Sequence, residues 1–260
     1  MWPYWLMFLV PAALAVQEAS RSYAVLGAGA RRPSLPTSWW LVLAAFTLML
    51  GWRHEVGGDW GNYLRNFAAA FYDSQYADWW WNDPGYRLLE WLSLRLDWDI
   101  YGVNLMAAAL FSYGLVVFCR HLPRPWLALA VAVPYLVIIL GMGYSRQGAA
   151  LGAIMVGLVS LGHGKVMRFV LWTLLGATMH KSGVLLLPLA ALAASRNRWL
   201  AAAWVGVVVA SAYALLLQDS VEALQVGYLE AEYQSQGALI RLVMNTLPAL
   251  VLLARRRRFE

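Results

Sequence analysis

Apolar runs about as long as a bilayer is thick recur along this chain, joined mostly by short loops, and no other feature narrows its possible folds so far. A helix that crosses the hydrocarbon needs about 20 apolar residues, within a range of roughly 17–25, because unpaired backbone polar groups are costly in lipid. Runs near 1–17, 37–52, 99–119, 125–144, 147–163, 167–180, 182–195, 199–217 and 238–254 meet or approach that length. The expected fold is therefore all-α, a polytopic integral membrane protein of about nine transmembrane helices. The runs at 37–52, 167–180 and 182–195 are short and need flanking aromatics, local thinning or protein neighbours. Composition removes the soluble alternative. With 61% hydrophobic and only 13% charged residues, the chain cannot cover the surface of a soluble globule, and apolar surface left in water costs free energy in proportion to its area. Met1 to Val16 lack the basic start of a cleaved signal peptide and read as a retained first span. No internal repeat or low-complexity linker interrupts residues 1–260, so a single transmembrane domain is expected.

The positions of the charges carry the next inference. A formal net charge of +6 would suit a nucleic-acid binder, but the basic residues cluster at the ends of apolar runs, where they act as topology signals. Arg21, Arg31 and Arg32 follow the first run, Arg120 and Arg124 the third, Lys165 and Arg168 the fifth, Arg196 and Arg198 the seventh, and Arg255 to Arg258 the last. Every second loop is thus basic and expected in the cytoplasm, with the N-terminus outside and the C-terminus inside. The opposite loops are acidic or mixed: 53–98 carries Glu55, Asp59, Asp73, Asp78, Asp83, Glu90 and Asp97, and 218–237 carries Asp219, Glu222, Glu230 and Glu232. Within the long outer loop, Tyr86 to Leu96 places Leu88, Leu89, Trp91, Leu92 and Leu96 mostly on one helical face, the pattern of an interfacial helix, and Pro84-Gly85 breaks the chain ahead of it. Trp79-Trp80-Trp81 reads as an interfacial belt, with a sugar-stacking platform as the second reading. Cys119, the single cysteine, excludes an internal disulfide framework and a Cys-rich metal site.

Three polar clusters fall on the expected outer side. The first is Arg53-His54-Glu55-Val56-Gly57-Gly58-Asp59-Trp60-Gly61-Asn62-Tyr63, after the second run. The second is Gly143-Tyr144-Ser145-Arg146-Gln147, in a tight connection, and the third is His180-Lys181-Ser182, between two short apolar stretches. Twelve helical residues reach about 18 Å, short of a ~30 Å hydrocarbon core, so His180 and Lys181 are expected below the outer surface in a recess. A cation held at that depth marks a functional site by default. Each cluster also has a plain reading: Arg53 and Arg146 as snorkelling end residues, Asp59 as a solvated carboxylate or helix cap, His180 as a hydrogen-bonded structural histidine. Convergence favours function, because three separated clusters bring cations to one compartment. Arg and Lys in a lipid-level cavity suit a phosphate or diphosphate, which arginine grips in a bidentate manner.

At these same positions the chain resembles a known family. Arg53, then Val56-Gly-Gly-Asp59-Trp-Gly-Asn-Tyr63, then Asp83-Pro-Gly-Tyr86 ahead of an amphipathic stretch, then Tyr144-Ser-Arg146-Gln147 and His180-Lys-Ser182-Gly183 are together similar to the EpsG family, exopolysaccharide and O-antigen polymerases of the Wzy type. The likeness runs in order from about residue 40 to 195 and continues more weakly through Tyr228–Tyr233 and the last run. It implies a glycosyltransferase of the bacterial cytoplasmic membrane, with a helical fold similar to GT-C enzymes, joining oligosaccharide repeat units carried on undecaprenyl diphosphate at the periplasmic face. It implies that Arg53, Arg146 and Lys181 lie near the donor diphosphate, with Tyr63, Tyr144 and Gln147 in the same binding set. It makes Asp59, His180 and Arg146 the catalytic candidates, with Asp59 and His180 positioning or deprotonating the acceptor hydroxyl. The implied partners are the lipid-linked oligosaccharide and membrane lipid, with room for a chain-length regulator and no nucleic acid. No cofactor is expected, and no metal, since no DxD-like motif lies near the clusters. Many members of the family are longer, so this chain is expected to be either a compact member or a shortened one.

Rival readings share parts of this pattern. An O-antigen ligase or a single-sugar transferase using a polyprenyl phosphate would also have an outward basic cavity. A transporter or flippase of lipid-linked oligosaccharide tends to show paired repeats with broken helices, which are not found here. An intramembrane serine protease is disfavoured because His180 and Ser182, two residues apart, point in divergent directions on a helix.

Overall fold

The computed structural model describes residues 2–19, 37–72, 83–188 and 238–255, with Trp199, Ala203, Trp204, Gly206, Val207 and Ala210 between them. The chain divides into two compact units, Met1–Ala212 and Tyr213–Glu260. All regular elements among the described residues are helical, as expected of an all-α chain. In the first unit these are α1 (Trp2–Ala19), α2 (Thr37–Gly51), α3 (Trp60–Tyr72), α4 (Pro84–Arg95) and α5 (Asp99–Arg120). They are followed by α6 (Pro125–Ala132) running into a π-helical stretch (Val133–Gly141), then α7 (Ser145–Gly162), α8 (Val166–Met179) and a 3₁₀ turn (Lys181–Leu186). The second unit contributes α9 (Ala238–Ala254). The apolar runs near 1–17, 37–52, 99–119, 125–144, 147–163, 167–180 and 238–254 each become a helix within a few residues of those bounds. The rest of the 182–195 run, most of the 199–217 run, the 218–237 loop and Trp79-Trp80-Trp81 lie outside the described residues.

By length and composition α5 is the described helix fit to cross a bilayer unaided; Thr37–Gly51, Pro125–Gly141 and Val166–Met179 are apolar but shorter. One short run departs from the expected helical form: Lys181–Leu186 winds as 3₁₀ instead of opening an α-helix. Its tight turns follow from Gly183 and Leu187, whose N–H groups donate to His180 and Val184, three residues back. In the 125–144 run, Pro134 has no N–H to return to the preceding turn, and the ladder widens there to π geometry.

The core of the first unit forms around α5, which packs against α2, α4 and α7, while α7 packs in turn on α8. Leu50, Phe111, Leu115, Val116, Leu129, Val133 and Val137 are essentially sealed from solvent and join α2, α5, α6 and the π stretch. Trp39 stacks on Trp126 at 4.5 Å between ring centroids, tying α2 to α6. The α5–α7 seam is closed by glycine: a Cβ on Gly152 would lie 2.6 Å from the Phe111 Cα, and one on Gly114 would strike the Gly152 carbonyl. Backbones that approach so closely gain packing and exclude side chains.

The antiparallel course gathers the C-terminal ends of α2 and α8 with the N-terminal ends of α5 and α7. Short helices α3 and α4 cover that end, with Trp60, Tyr63, Phe67, Tyr86, Ile100 and Val103 as a small core of their own. α4 is the amphipathic helix expected from Tyr86 to Leu96; it buries Tyr86, Glu90 and Ser93 and exposes Leu88 and Trp91. At the opposite end, His121 and His163 meet edge to face at 5.4 Å, where α5 and α7 finish.

Candidate functional site

The three polar clusters share the α3–α4 end of the first unit, and two linked networks join them. The inner network centres on Arg53, which is 5% exposed. Its guanidinium donates to the Leu50 carbonyl at 3.0 Å, to Asn104 Oδ1 at 3.0 Å and to Ser145 Oγ, and Ser145 donates to Asn104 Oδ1 at 2.9 Å. Among the described residues no carboxylate lies within ion-pair distance of Arg53, while its Nε and the Asn104 Nδ2 are buried without a partner. Burial works against its charged form. A buried cation surrounded by neutral dipoles is an incomplete electrostatic arrangement, and an anion would complete it.

Ser145 links this network to the next residue, Arg146, the hub of the outer one. Arg146 lies over the Tyr63 ring at 5.4 Å and the Tyr86 ring at 5.5 Å, cation–π distances that fix the plane of its side chain. Its backbone N–H donates to Tyr63 Oη at 3.4 Å. Its NH1 reaches Asp83 Oδ2 at 3.4 Å, and the same oxygen is 3.8 Å from His180 Nδ1. The other oxygen, Oδ1, accepts the Lys181 backbone N–H at 3.1 Å. One carboxylate thus receives groups from α7 and from both sides of the α8–3₁₀ junction.

The local sequence explains why Asp83 is free to do this. It occupies the N-cap position of α4, where an aspartate ordinarily accepts a backbone N–H of the first turn. Here its backbone is left-handed (φ 50°, ψ 64°) and its side chain makes no cap bond. Pro84, which follows, has no N–H to be capped. A non-glycine residue in the left-handed region before proline is strained, and the ion pairs hold it there. Burial alone would raise the Asp83 carboxyl, but the His180 ring, the Arg146 guanidinium and the Lys181 N–H outweigh it and hold the group below the usual carboxylate range. Glu90, two turns further on α4, behaves oppositely: burial pushes its carboxyl up although Arg87 binds it at 2.8 Å. Burial also raises the Tyr63 phenol.

The expected site residues divide accordingly. Arg53, Tyr63, Arg146 and His180 are drawn into these networks. Lys181 joins through its backbone; the residue is half-buried, with no carboxylate in ion-pair range of its ammonium among the described residues. Tyr144 is half-buried and Gln147 exposed at the start of α7, beside the hub. Asp59 sits apart from the ion pair. It accepts from Asn62 Nδ2 at 3.3 Å just ahead of α3, near enough for its charge to bear on Tyr63. The first cluster meets the second through Gly57, whose positive φ of 104° lets its backbone lie against Gly143. Sequence reasoning assigned no role to Asp83, Asn104, Ser145 or Tyr86. The detectable signals were Asp83 directly before Pro84-Gly85 and Asn104 within an apolar run.

The geometry defines a class: an all-helical bundle with a cation-rich polar site where its helix ends meet short covering helices. A family model places the chain more closely. It matches residues 37–260, and the chain belongs to the EpsG family, membrane proteins associated with exopolysaccharide polymerisation. Comparison with curated proteins and with solved structures gives no match.

Proposed function

We propose that this chain is a glycosyltransferase that polymerises lipid-linked oligosaccharide repeat units, with undecaprenyl diphosphate as the leaving group, at the outer face of the bacterial cytoplasmic membrane. In this reading about nine helices span the bilayer in a GT-C-like arrangement, with the N-terminus outside and the α3–α4 end facing the periplasm. The hydroxyl of one lipid-linked unit attacks the anomeric carbon of another. Arg146, Arg53 and Lys181 neutralise the diphosphate as its bond to that carbon breaks, the kind of charge stabilisation that a recess poor in water makes strong. His180 and Asp59 address the acceptor hydroxyl, and Tyr63, Tyr144 and Gln147 line the approach. A chain-length regulator would act on this site from outside.

The observation that carries the proposal is the meeting of Arg146 and His180 on one carboxylate, with Arg53 buried beside them and no carboxylate within its ion-pair range among the described residues. Single Arg53→Ala and Arg146→Ala variants, expressed in a strain that needs the polymer, test it. Each should lose long chains and leave single repeat units, since deleting one such donor costs about 10²–10³ in rate. Long chains retained at normal protein levels would refute the assignment. A complete absence of attached units would indicate a ligase.

A further inference from the structure

His180 is held so that its two ring nitrogens differ. Its backbone N–H donates to Gly176 at 3.0 Å and its carbonyl accepts from Gly183 at 2.9 Å, which fixes the residue between α8 and the 3₁₀ turn. Its backbone is extended (φ −156°, ψ 123°), turning the ring out of the line of the helix toward α4. Nδ1 is shut away from solvent without a hydrogen bond and lies 3.8 Å from Asp83 Oδ2. Nε2 is not among the buried unpartnered atoms and makes no hydrogen bond to any described residue, and about a third of the side chain (30%) is exposed. The buried nitrogen therefore faces a carboxylate, while no hydrogen bond from a described residue occupies the other.

Asp83 itself is a poor candidate for direct proton transfer. Its side chain is 9% exposed, Oδ1 is taken by the Lys181 N–H, and Oδ2 is shared between Arg146 and His180. Removing a proton from a substrate would require one of these oxygens to be vacated. The imidazole needs no such rearrangement. A carboxylate behind one ring nitrogen fixes the tautomer and orientation that leave the other nitrogen basic, and it stabilises the imidazolium that forms. The present 3.8 Å separation is longer than a hydrogen bond, a looseness common before substrate closes a site.

Resting on the polymerase reading above, we infer that Asp83 is a positioning residue that acts through His180, with His180 Nε2 as the base for the acceptor sugar hydroxyl. In the step this describes, the acceptor O–H proton passes to Nε2 as the oxygen forms its bond to the donor anomeric carbon. The bond from that carbon to the diphosphate oxygen breaks, and its electron pair leaves on the diphosphate beside Arg146. The imidazolium is held against Asp83 until its proton returns to water or to the departing diphosphate. Asp83 thus serves two groups of opposite duty, seating Arg146 for the leaving group and His180 for the nucleophile, and sets the distance between them.

Full-length protein in proteoliposomes, supplied with lipid-linked repeat units extracted from host cells that lack this chain, tests the inference. The readouts are turnover at saturating substrate and the half-saturating concentration. Asp83→Asn keeps the shape and an acceptor for the Lys181 N–H, and melting of the purified variants checks that they fold. Asp83→Asn and His180→Ala are each expected to lower turnover by about 10²-fold or more, within the roughly 10²–10⁴ range of acid–base catalysis, with half-saturation changed less than about threefold. The double variant should be no slower than His180→Ala alone, because residues that act as a unit are not additive, and Asp83→Glu should recover part of the loss. Multiplying effects in the double variant, or an Asp83→Asn change confined to half-saturation, would overturn the inference. So would tighter substrate binding with turnover kept, which would make Asp83 an anion that the diphosphate displaces. A wild-type protein that forms no glycosidic bond would instead overturn the polymerase reading itself.

Discussion

Asp83 concentrates the chemistry of the site in one side chain, and its surroundings predict how the fold responds to pH. Burial favours the neutral acid, yet the His180 ring, Arg146 and the Lys181 N–H hold the carboxyl below its usual range. A group with a lowered folded-state value contributes stability above its unfolded value of about 4, and loses it as the pH falls through the lowered value. Asp83→Asn should therefore melt below wild type at neutral pH in detergent, and the gap should close under acid. A gap that ignores pH would mean the carboxylate is not held by charge. The sequence made Arg53, Arg146 and His180 legible because a cation beside an apolar run is conspicuous. Asp83 opens one of the family-like motifs yet suggested no role of its own, for the opposite reason: a carboxylate before Pro-Gly in an acidic loop looks like a solvated turn residue. Only the left-handed backbone turns it inward. Asn104 was hidden because one neutral amide scarcely alters an apolar run, although it shares the Arg53 guanidinium with Ser145.

Helices were the most readable level, since a bilayer-length apolar run leaves few alternatives and its charged ends mark where it stops. The amphipathic α4 was legible from its spacing. What the runs could not convey was backbone detail: the π stretch after Pro134, and the 3₁₀ turn after His180, where an apolar run reads as helix whatever its hydrogen-bond ladder. Helix packing yields its own prediction. Gly152 has backbone of α5 within 2.6 Å of where a Cβ would stand, so Gly152→Leu cannot be absorbed by a rotamer change. It should destabilise the bundle by at least the 1–3 kcal/mol of ordinary overpacking, read as a lower melting temperature and reduced protein in the membrane. Gly58→Ala, in the loop beside the site, meets nothing within 4 Å and has no positive φ to protect, so it should melt like wild type. Equal effects of the two would show that the α5–α7 seam is not as close as described.

For the whole molecule, the unifying feature is that polar loops separated by long stretches of sequence come together at one end of the first unit, opposite His121 and His163. Orientation in the membrane follows if the basic loops are cytoplasmic. In a Cys119→Ser background, Gln147→Cys should react with an impermeant thiol reagent added to intact spheroplasts, and Lys165→Cys only after the membrane is opened; both positions are exposed. The reverse pattern would place the Arg146–Asp83–His180 site in the cytoplasm and remove it from a periplasmic polymer. The proposed function requires that this site break a bond to a lipid diphosphate and not merely carry the lipid. The most direct measurement is the stoichiometry of purified wild-type protein in sealed vesicles with extracted lipid-linked repeat units, following both polymer and free lipid diphosphate. One lipid diphosphate released for each glycosidic bond formed, with both lost in Arg146→Ala, is the predicted result. Lipid-linked units that cross the bilayer with no bond formed and no diphosphate released would contradict it.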